Sequence, residues 1–472
     1  MGADREGGLD VRVRAWYGGK NPTQEELDMR RGGMKLSLVL AWSAGLLLVA
    51  GSALGRDWYV SDKRGSGKQG TKEAPAKDLG NIASQLQPGD VVHIAEGTYL
   101  GRGESGVDEL TMPVQILGGY ADDFSKRDPW GAHPTVLSGN NLTKNWKQGA
   151  RLEFDLTKYR EKVSAPIVVD GLIVDQGAQN RYKTPEQHLI LRKADPKTGA
   201  NPTPDRGGIF IRVSRSPDKP WKIKVQNNIV MNSAPTMGAL AVFAYENDEV
   251  LIFNNVVVNC TGTGILAGTS WRGSDPAKAP KYRVVNNTVL FTWKYDAYVQ
   301  SFSGVSFGTD TEVVAALYNN ILAFADRFSI QKLGKWPLTL KGNVLLGAVD
   351  SDYYESVTDT KIPLAKLADE AETLSPDSGN NGNMRFEVPV SKAWAELYGQ
   401  RVLIDRNAVE ADIQAQQTRA NMVRGILGLN QRADDVKADS PIWLHRLPLA
   451  DGLKVAEKHP VGKFGASKEL IK

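Results

Sequence analysis

Between residues 167 and 347 the chain sets short apolar runs around a recurring pair of polar amides. The copies read KVQNNIVMN (224–232), LIFNNVVVN (251–259), RVVNNTVLF (283–291) and ALYNNILAF (316–324). TLKGNVLLG (339–347) is a degenerate copy and IVVDGLIVD (167–175) a forerunner. Aligned on the second amide, they fall at 171, 228, 255, 287, 320 and 343. Repetition at roughly 20–50 residues is the signature of a solenoid. The step from 171 to 228 is about twice the others, and reads as two coils or as one carrying a large insertion.

A second marker lies between the amides: GGIFIR (207–212), GALAVFA (238–244), GTGILAG (262–268) and GVSFGT (304–309). Each period therefore holds three short strands, one led by glycine, one before the amides and one after them. No stretch of a period is long enough for a regular helix, and β-branched residues dominate. Three strands per coil, parallel from coil to coil, make an all-β solenoid, a parallel β-helix. A sharp corner between strands needs left-handed backbone, which Asn tolerates better than other non-glycine residues. Stacked coils place Asn over Asn, so the amides can bond along a ladder and satisfy buried polar groups. On this reading the asparagines are structural rather than catalytic.

The ends differ from this rhythm. Residues 34–55, MKLSLVLAWSAGLLLVAGSALG, follow Arg30 and Arg31 with an apolar run and close on Ala53-Leu54-Gly55. This is the pattern of a secretory signal peptide with cleavage after Gly55; the alternative, an uncleaved anchor, has an apolar run short for a span. Residues 1–33 are polar and without apolar period, which reads as a mis-called upstream start before Met34 or a disordered tail. Past 347 the strand rhythm fades, and 348–472 reads as a C-terminal capping segment. It holds a helix over 407–428, with Asn407 as N-cap and Glu410 completing a capping box, and SPIWLHRLPL (440–449) as a last strand.

Composition narrows the classes. Hydrophobic residues make up 41% and charged residues 24%, ordinary for a globular chain, while 47 Gly suit a turn-rich β protein. The net charge of +4 is close to balance, and no basic block with interleaved aromatics points to nucleic acid. Cys260 is the single cysteine, so no intrachain disulfide or Cys-rich zinc site exists; it reads as a small buried filler. The five histidines leave residues 189–444 empty, which removes His-based acid–base chemistry from the central coils unless a loop or the tail folds over them.

With its NNxVxN turns, the opening DWYVSDKRGSGKQGTKEAPAKDLGNIASQLQPGDVVHIAEGTY (57–99) and ILGGYADDFSKRDP (116–129), the chain over residues 56–347 resembles the pectate-lyase-like superfamily of secreted, right-handed parallel β-helix proteins. The resemblance implies a capping helix around Leu79–Leu86. It also implies a substrate lying on the outer face of the Gly-led sheet, between flanking loops. Lyases of that superfamily commonly use Arg or Lys as base and Ca²⁺ held by acidic residues. No Asp-Pro-His-Asp run is present, and TDT (309–311) and VDSD (349–352) are too sparse for the aspartate cluster of a hydrolase.

Strand alternation sends Ile209, Ile211, Leu240, Val242, Ile265, Ala267, Val305 and Phe307 inward, leaving Phe210, Arg212, Ala241, Phe243, Leu266, Ser306 and Gly308 outward. The long loops 176–206, 270–282 and 292–303 would flank that face. Arg212 and Arg272 are the candidate bases. Phe243, Tyr245, Trp271, Trp293, Lys294, Tyr295 and Tyr298 would contact sugar, since flat rings stack on pyranoses and cations suit carboxylated sugars. Glu246, Asp248 and Asp310 would hold Ca²⁺ through oxygen ligands. The expectation is a monomeric protein, secreted, periplasmic or on the cell surface. It would have no membrane span in its mature form and would bind polysaccharide, as a uronate-specific lyase acting by β-elimination. The alternatives are a non-catalytic glycan-binding protein and a purely structural surface protein.

Overall fold

A computed structural model describes residues 55–471, apart from 103–105, 140–149, 161–164, 178–206, 217–218, 234–237, 294–302, 309–311, 337, 368–390, 400–409, 434–445 and 450–463. The amide pairs in it divide their work. Asn227, Asn254, Asn286 and Asn319, the first of each pair, hold φ between 53° and 55°, and these residues turn the corner. The second of each pair builds the ladder. Asn228 Nδ2 donates to Asn255 Oδ1 at 3.0 Å, Asn255 to Asn287 at 3.0 Å, Asn287 to Asn320 at 3.0 Å and Asn320 to Asn343 at 2.8 Å. Each also donates to a strand carbonyl of its neighbouring coil, as Asn255 does to Val225 O at 2.8 Å. Buried amides are thereby satisfied on both sides.

Register corrects the sequence alignment at the forerunner. Ile173 pairs with Ile229 and Asp170 with Gln226, so Gly171, at φ 74°, occupies the corner position and Leu172 the ladder position. The aligned frame was one residue short. Gly342, at φ 69°, takes the same corner in the last copy. The step between Leu172 and Asn228 is 56 residues within one coil, so it carries an insertion and not a second coil.

Three parallel sheets result, and the fold is a right-handed parallel β-helix. Among the described residues the pre-amide sheet has nine strands, from Asp57–Val60 to Leu338–Lys341, and the post-amide sheet has eight, from Gly97–Tyr99 to Val344–Leu346. The Gly-led sheet runs from Asp108–Leu110 to Ser351–Glu355, one strand beyond the predicted end of the repeat, and closes on the antiparallel strand Thr360–Ile362. Helix α1 (Leu79–Ile82) and the 3-10 turn Ala83–Gln85 stand at the start, where the resemblance implies a cap. Asp78 caps α1 by accepting from Asn81 N, and Leu79, Ile82 and Leu86 are buried in the core.

All eight residues predicted to point inward along the Gly-led strands are in the core. The glycines that lead these strands have a steric reason. A Cβ on Gly208 would strike Val230, and one on Gly264 would strike Val289, both projecting from the post-amide wall. Cys260 is fully buried in the same core, and burial pushes its thiol up from the ordinary value; it fills space.

The C-terminal segment departs from expectation. Helices α2 (Lys392–Gly399) and α3 (Glu410–Ile426) contribute to a second apolar cluster. Trp394, Ala420, Val423, Leu447 and Ala466 lie with Ile229, Val256, Val258, Ile321 and Val344 of the post-amide sheet. That sheet is thus buried on both faces, and the tail covers its flank rather than only the open end of the tube. Residues 446–449 form no strand; Leu447 N donates to Asn232 Oδ1 at 2.9 Å and Leu447 O accepts from Asn232 Nδ2 at 3.0 Å. Asn407 and residues 440–445 lie outside the described residues. No helix among the described residues is long and apolar enough to cross a membrane.

Candidate functional site

Two rows of side chains run in register across the outer face of the Gly-led sheet. One passes through Glu109, Glu153, Phe210, Ala241, Leu266, Ser306, Gln331 and Tyr354. The other runs Asp155, Arg212, Phe243 and Gly268. Adjacent strands lie about 4.8 Å apart, so Arg212 stands between Asp155 and Phe243 with Glu153 diagonal to it. Phe210 meets Phe243 edge-on at 5.6 Å between centroids, and Phe243, Ala241 and Leu266 are buried there. Gly268 leaves room for the Phe243 ring, which a Cβ would meet at 2.9 Å. The face changes along the axis from acidic, through one guanidinium, to aromatic, and then to hydroxyl and amide. In that last part Ser306 Oγ lies 2.6 Å from Ser303 Oγ and 3.1 Å from Thr263 Oγ1, and donates to Gln331 Oε1 at 3.2 Å.

Beyond the strand ends the predicted residues separate. Tyr245 packs against the lumen core, and its N–H donates to Asp248 Oδ2 at 2.6 Å. Asp248 Oδ1 accepts from Trp221 N at 2.8 Å, and the residue is fully buried. Burial pushes its carboxyl up to about 7 against the pull of the two N–H donors, with the Glu246 charge adding a smaller push. Both oxygens are spent on the turn. Glu246 lies 4.0 Å from the exposed Arg215, and Asp310 lies outside the described residues. What is described of this acidic set therefore does not fit a Ca²⁺ site. Among the described residues no group of three or more His, Cys, Asp or Glu is placed to hold a metal.

Trp293 sits elsewhere. It is 2% exposed under α2, packed beside both Phe291 and Trp394, and donates from Nε1 to Asn259 Oδ1 at 2.7 Å. It is part of the flank packing and does not reach the Gly-led face. Lys294, Tyr295 and Tyr298 lie outside the described residues. Arg272 is exposed on the loop after strand Thr263–Thr269. Trp271 beside it is buried, donates from its backbone to Thr269 Oγ1 at 2.9 Å, and lies 6.0 Å from Trp336. Of the predicted set, the structure brings Arg212 and Phe243 together.

Sequence reasoning missed Glu153, Asp155 and Trp336. The first two stand on strand Ala150–Leu156, which carries no glycine marker and precedes the amide repeat. Its alternation, RLEFDL, was the available signal. Trp336 lies in the turn after strand Phe328–Lys332, where no period marks it. Compared with known proteins, the chain matches no family model and no curated protein.

Proposed function

We propose that this is a secreted polysaccharide-binding β-helix protein that cleaves uronate-containing glycan by β-elimination on the Gly-led face. One observation carries the reading: Arg212 stands cross-strand from Asp155, diagonal to Glu153 and beside Phe243. An arginine stays charged and presents a planar fork suited to a carboxylate. Phe210 and Phe243 offer apolar surface to a sugar ring. In the elimination a base removes the proton on the carbon bearing the carboxylate. The electron pair forms the new double bond, and the C–O bond breaks so that the glycosidic oxygen leaves as an alkoxide, which takes a proton from water. Pairing the carboxylate with Arg212 makes that proton more acidic, and the reading assigns its removal to Glu153 or to Asp155, whose Oδ1 accepts from Thr157 N and Oγ1 and whose Oδ2 would serve. The likeness to pectate-lyase-like proteins in architecture and turn motif supports this reading, as does the signal-like segment 34–55.

The test is to incubate mature protein with a panel of uronate polymers and follow unsaturated products by ultraviolet absorbance. Arg212→Ala is expected to lower the rate on the order of 10²-fold or more with the circular dichroism spectrum unchanged. No product on any polymer, or full activity in the variant, overturns the reading. A second reading, non-catalytic glycan binding, is favoured by the apolar patch of Phe210, Phe243 and Leu266. It predicts retained polymer binding with no product.

A further inference from the structure

The outer face of the pre-amide sheet carries charge of nearly one sign. Its last five strands are Lys222–Gln226, Glu249–Phe253, Lys281–Val285, Val314–Tyr318 and Leu338–Lys341. Their inward residues, such as Ile223, Ile252, Val284 and Leu317, pack in the lumen core. Outward, Lys222, Lys224, Lys281, Arg283 and Lys341 are exposed, and Glu249 is the one carboxylate on these strands. None of the five cations makes an ion pair or a side-chain hydrogen bond with a described residue. Their surplus of four over Glu249 equals the formal net charge of the entire chain, +4, so the rest of the chain balances and this wall holds the asymmetry. A surface kept only for solubility intersperses both signs.

Register sets the cations in rows along the tube. Lys222, Glu249, Lys281 and Val314 lie cross-strand from one another, and beside them run Lys224, Leu251, Arg283, Ala316 and Thr339. A third row passes through Gln226, Phe253, Val285, Tyr318 and Lys341. In the first two rows the cations skip one strand. At the usual sheet dimensions they stand about 9.6 Å apart along the tube, and the rows lie about 6.6 Å apart. Phe253 and Tyr318 skip one strand in the same way.

Spacing and shape decide the partner. Duplex nucleic acid carries one charge per about 1.7 Å of its axis, far denser than these rows. Leu251, Phe253, Val285 and Tyr318, which lie among the cations, are half-buried in the wall, so none stands out as a wedge for a lipid interior. An extended chain of rings with sparse, regular anions meets both features. We propose that the pre-amide wall is a second docking surface for acidic polysaccharide, which lies along the tube and across the strands. Its carboxylates pair with Lys222, Lys224, Lys281 and Arg283, and its rings lie over Phe253 and Tyr318. Choosing a glycan among such polyanions rests on the reading of the Gly-led face. The two walls are different sheets, so this one holds polymer without any need of elimination at Arg212.

The experiment titrates the full chain with polygalacturonate and polymannuronate by calorimetry at several salt concentrations, with duplex DNA and anionic phospholipid vesicles as comparisons. At least one uronate polymer is expected to bind more tightly than either comparison. Replacing Lys222, Lys224, Lys281 and Arg283 together by Gln is expected to weaken that binding about tenfold or more and to flatten its salt dependence. All four side chains are exposed, so the circular dichroism spectrum should not change. A control with Gln at Lys68, Lys72, Lys126 and Lys392, exposed outside this sheet, removes the same charge and is expected to keep the affinity. No binding of either polymer, unchanged affinity in the wall variant, an equal loss in the control, or tighter binding of DNA or vesicles overturns the proposal. Product formation from the same polymers is scored separately. Lost binding in the wall variant with no product from the parent upholds this surface and overturns elimination at Arg212; product with unchanged binding does the reverse.

Discussion

Asn319 holds φ at 55° with its side chain half-buried, whereas Asn320 beside it is fully buried and joined to Asn287, Asn343 and Val284. The first position asks only for left-handed backbone, which glycine supplies at least as well. The second asks for one acceptor and two donors at fixed points. Asn319→Gly is therefore expected to leave stability within about 0.5 kcal/mol, and Asn320→Ala to cost at least about 2 kcal/mol, both read from urea denaturation. Asp248 supplies a pH signature. Its folded-state carboxyl is raised to about 7 from 3.8, so the folded chain holds the proton more tightly than the unfolded one. The associated stability is complete below about pH 4 and is lost as pH rises through about 7. Asp248→Asn removes the titration and sets an amide N–H against a backbone donor. It is expected to lower the melting temperature at pH 5, by the equivalent of roughly 1–3 kcal/mol. Between pH 5 and 8 its melting temperature is expected to fall less than that of the parent. A parallel decline in both proteins contradicts the assignment.

Among the elements, the post-amide strands carry a second set of corners. Asn232 and Asn259 hold φ at 55°, and Asn259 Nδ2 donates to Asn232 Oδ1 at 2.7 Å. Two coils on, Phe291 and Phe324 hold the same conformation at φ 57° and 60°, a cost of roughly 1–2 kcal/mol each. Their rings stack 4.9 Å apart, with Trp394 of α2 edge-on to Phe291 at 4.8 Å, so packing under the tail offsets the strain. The last element, residues 464–471, crosses the amide corners like a strap. Ser467 N donates to Asn254 Oδ1 at 2.7 Å, Ala466 N to Thr288 Oγ1 at 2.8 Å and Gly465 N to Asn319 O at 2.8 Å. Gly465 has φ 78°, and a Cβ there would lie 2.6 Å from Ile321 Cδ1 and 2.7 Å from Thr288 Oγ1. Gly465→Val is expected to detach the strap, seen as faster hydrogen exchange at 464–471 and a lower melting temperature. Unchanged protection would mean that the strap tolerates the side chain.

For the molecule as a whole, the tail's cover on the post-amide sheet leaves two outer walls: the pre-amide one, with Lys222, Lys224, Lys281 and Arg283 exposed, and the Gly-led one, where charged, aromatic and hydroxyl side chains stand in register. If residues 34–55 direct export, the mature protein is expected outside the cytoplasm with Arg56 first, checked by N-terminal sequencing of the exported form; a chain retained inside with Met1 or Met34 at its start contradicts this. The coils were legible in the sequence because each corner makes the same local demand. A left-handed residue and a stacking amide recur wherever a coil turns, and inward alternation follows from the two-residue period of a strand. Asp155 beside Arg212 and the Trp336 corner were not legible, because each depends on which coil stacks on which, and a 56-residue step conceals that register. Trp293 looked like a sugar platform for the same reason: one residue's type is local, but what covers it is not. The sequence alone determined a tube of asparagine-cornered coils, since those requirements repeat along the chain. Only the tertiary structure decided which outer face the tail covers, because bonds such as Asn232–Leu447 and Asn254–Ser467 join residues 215 and 213 positions apart, a separation that no periodic pattern records.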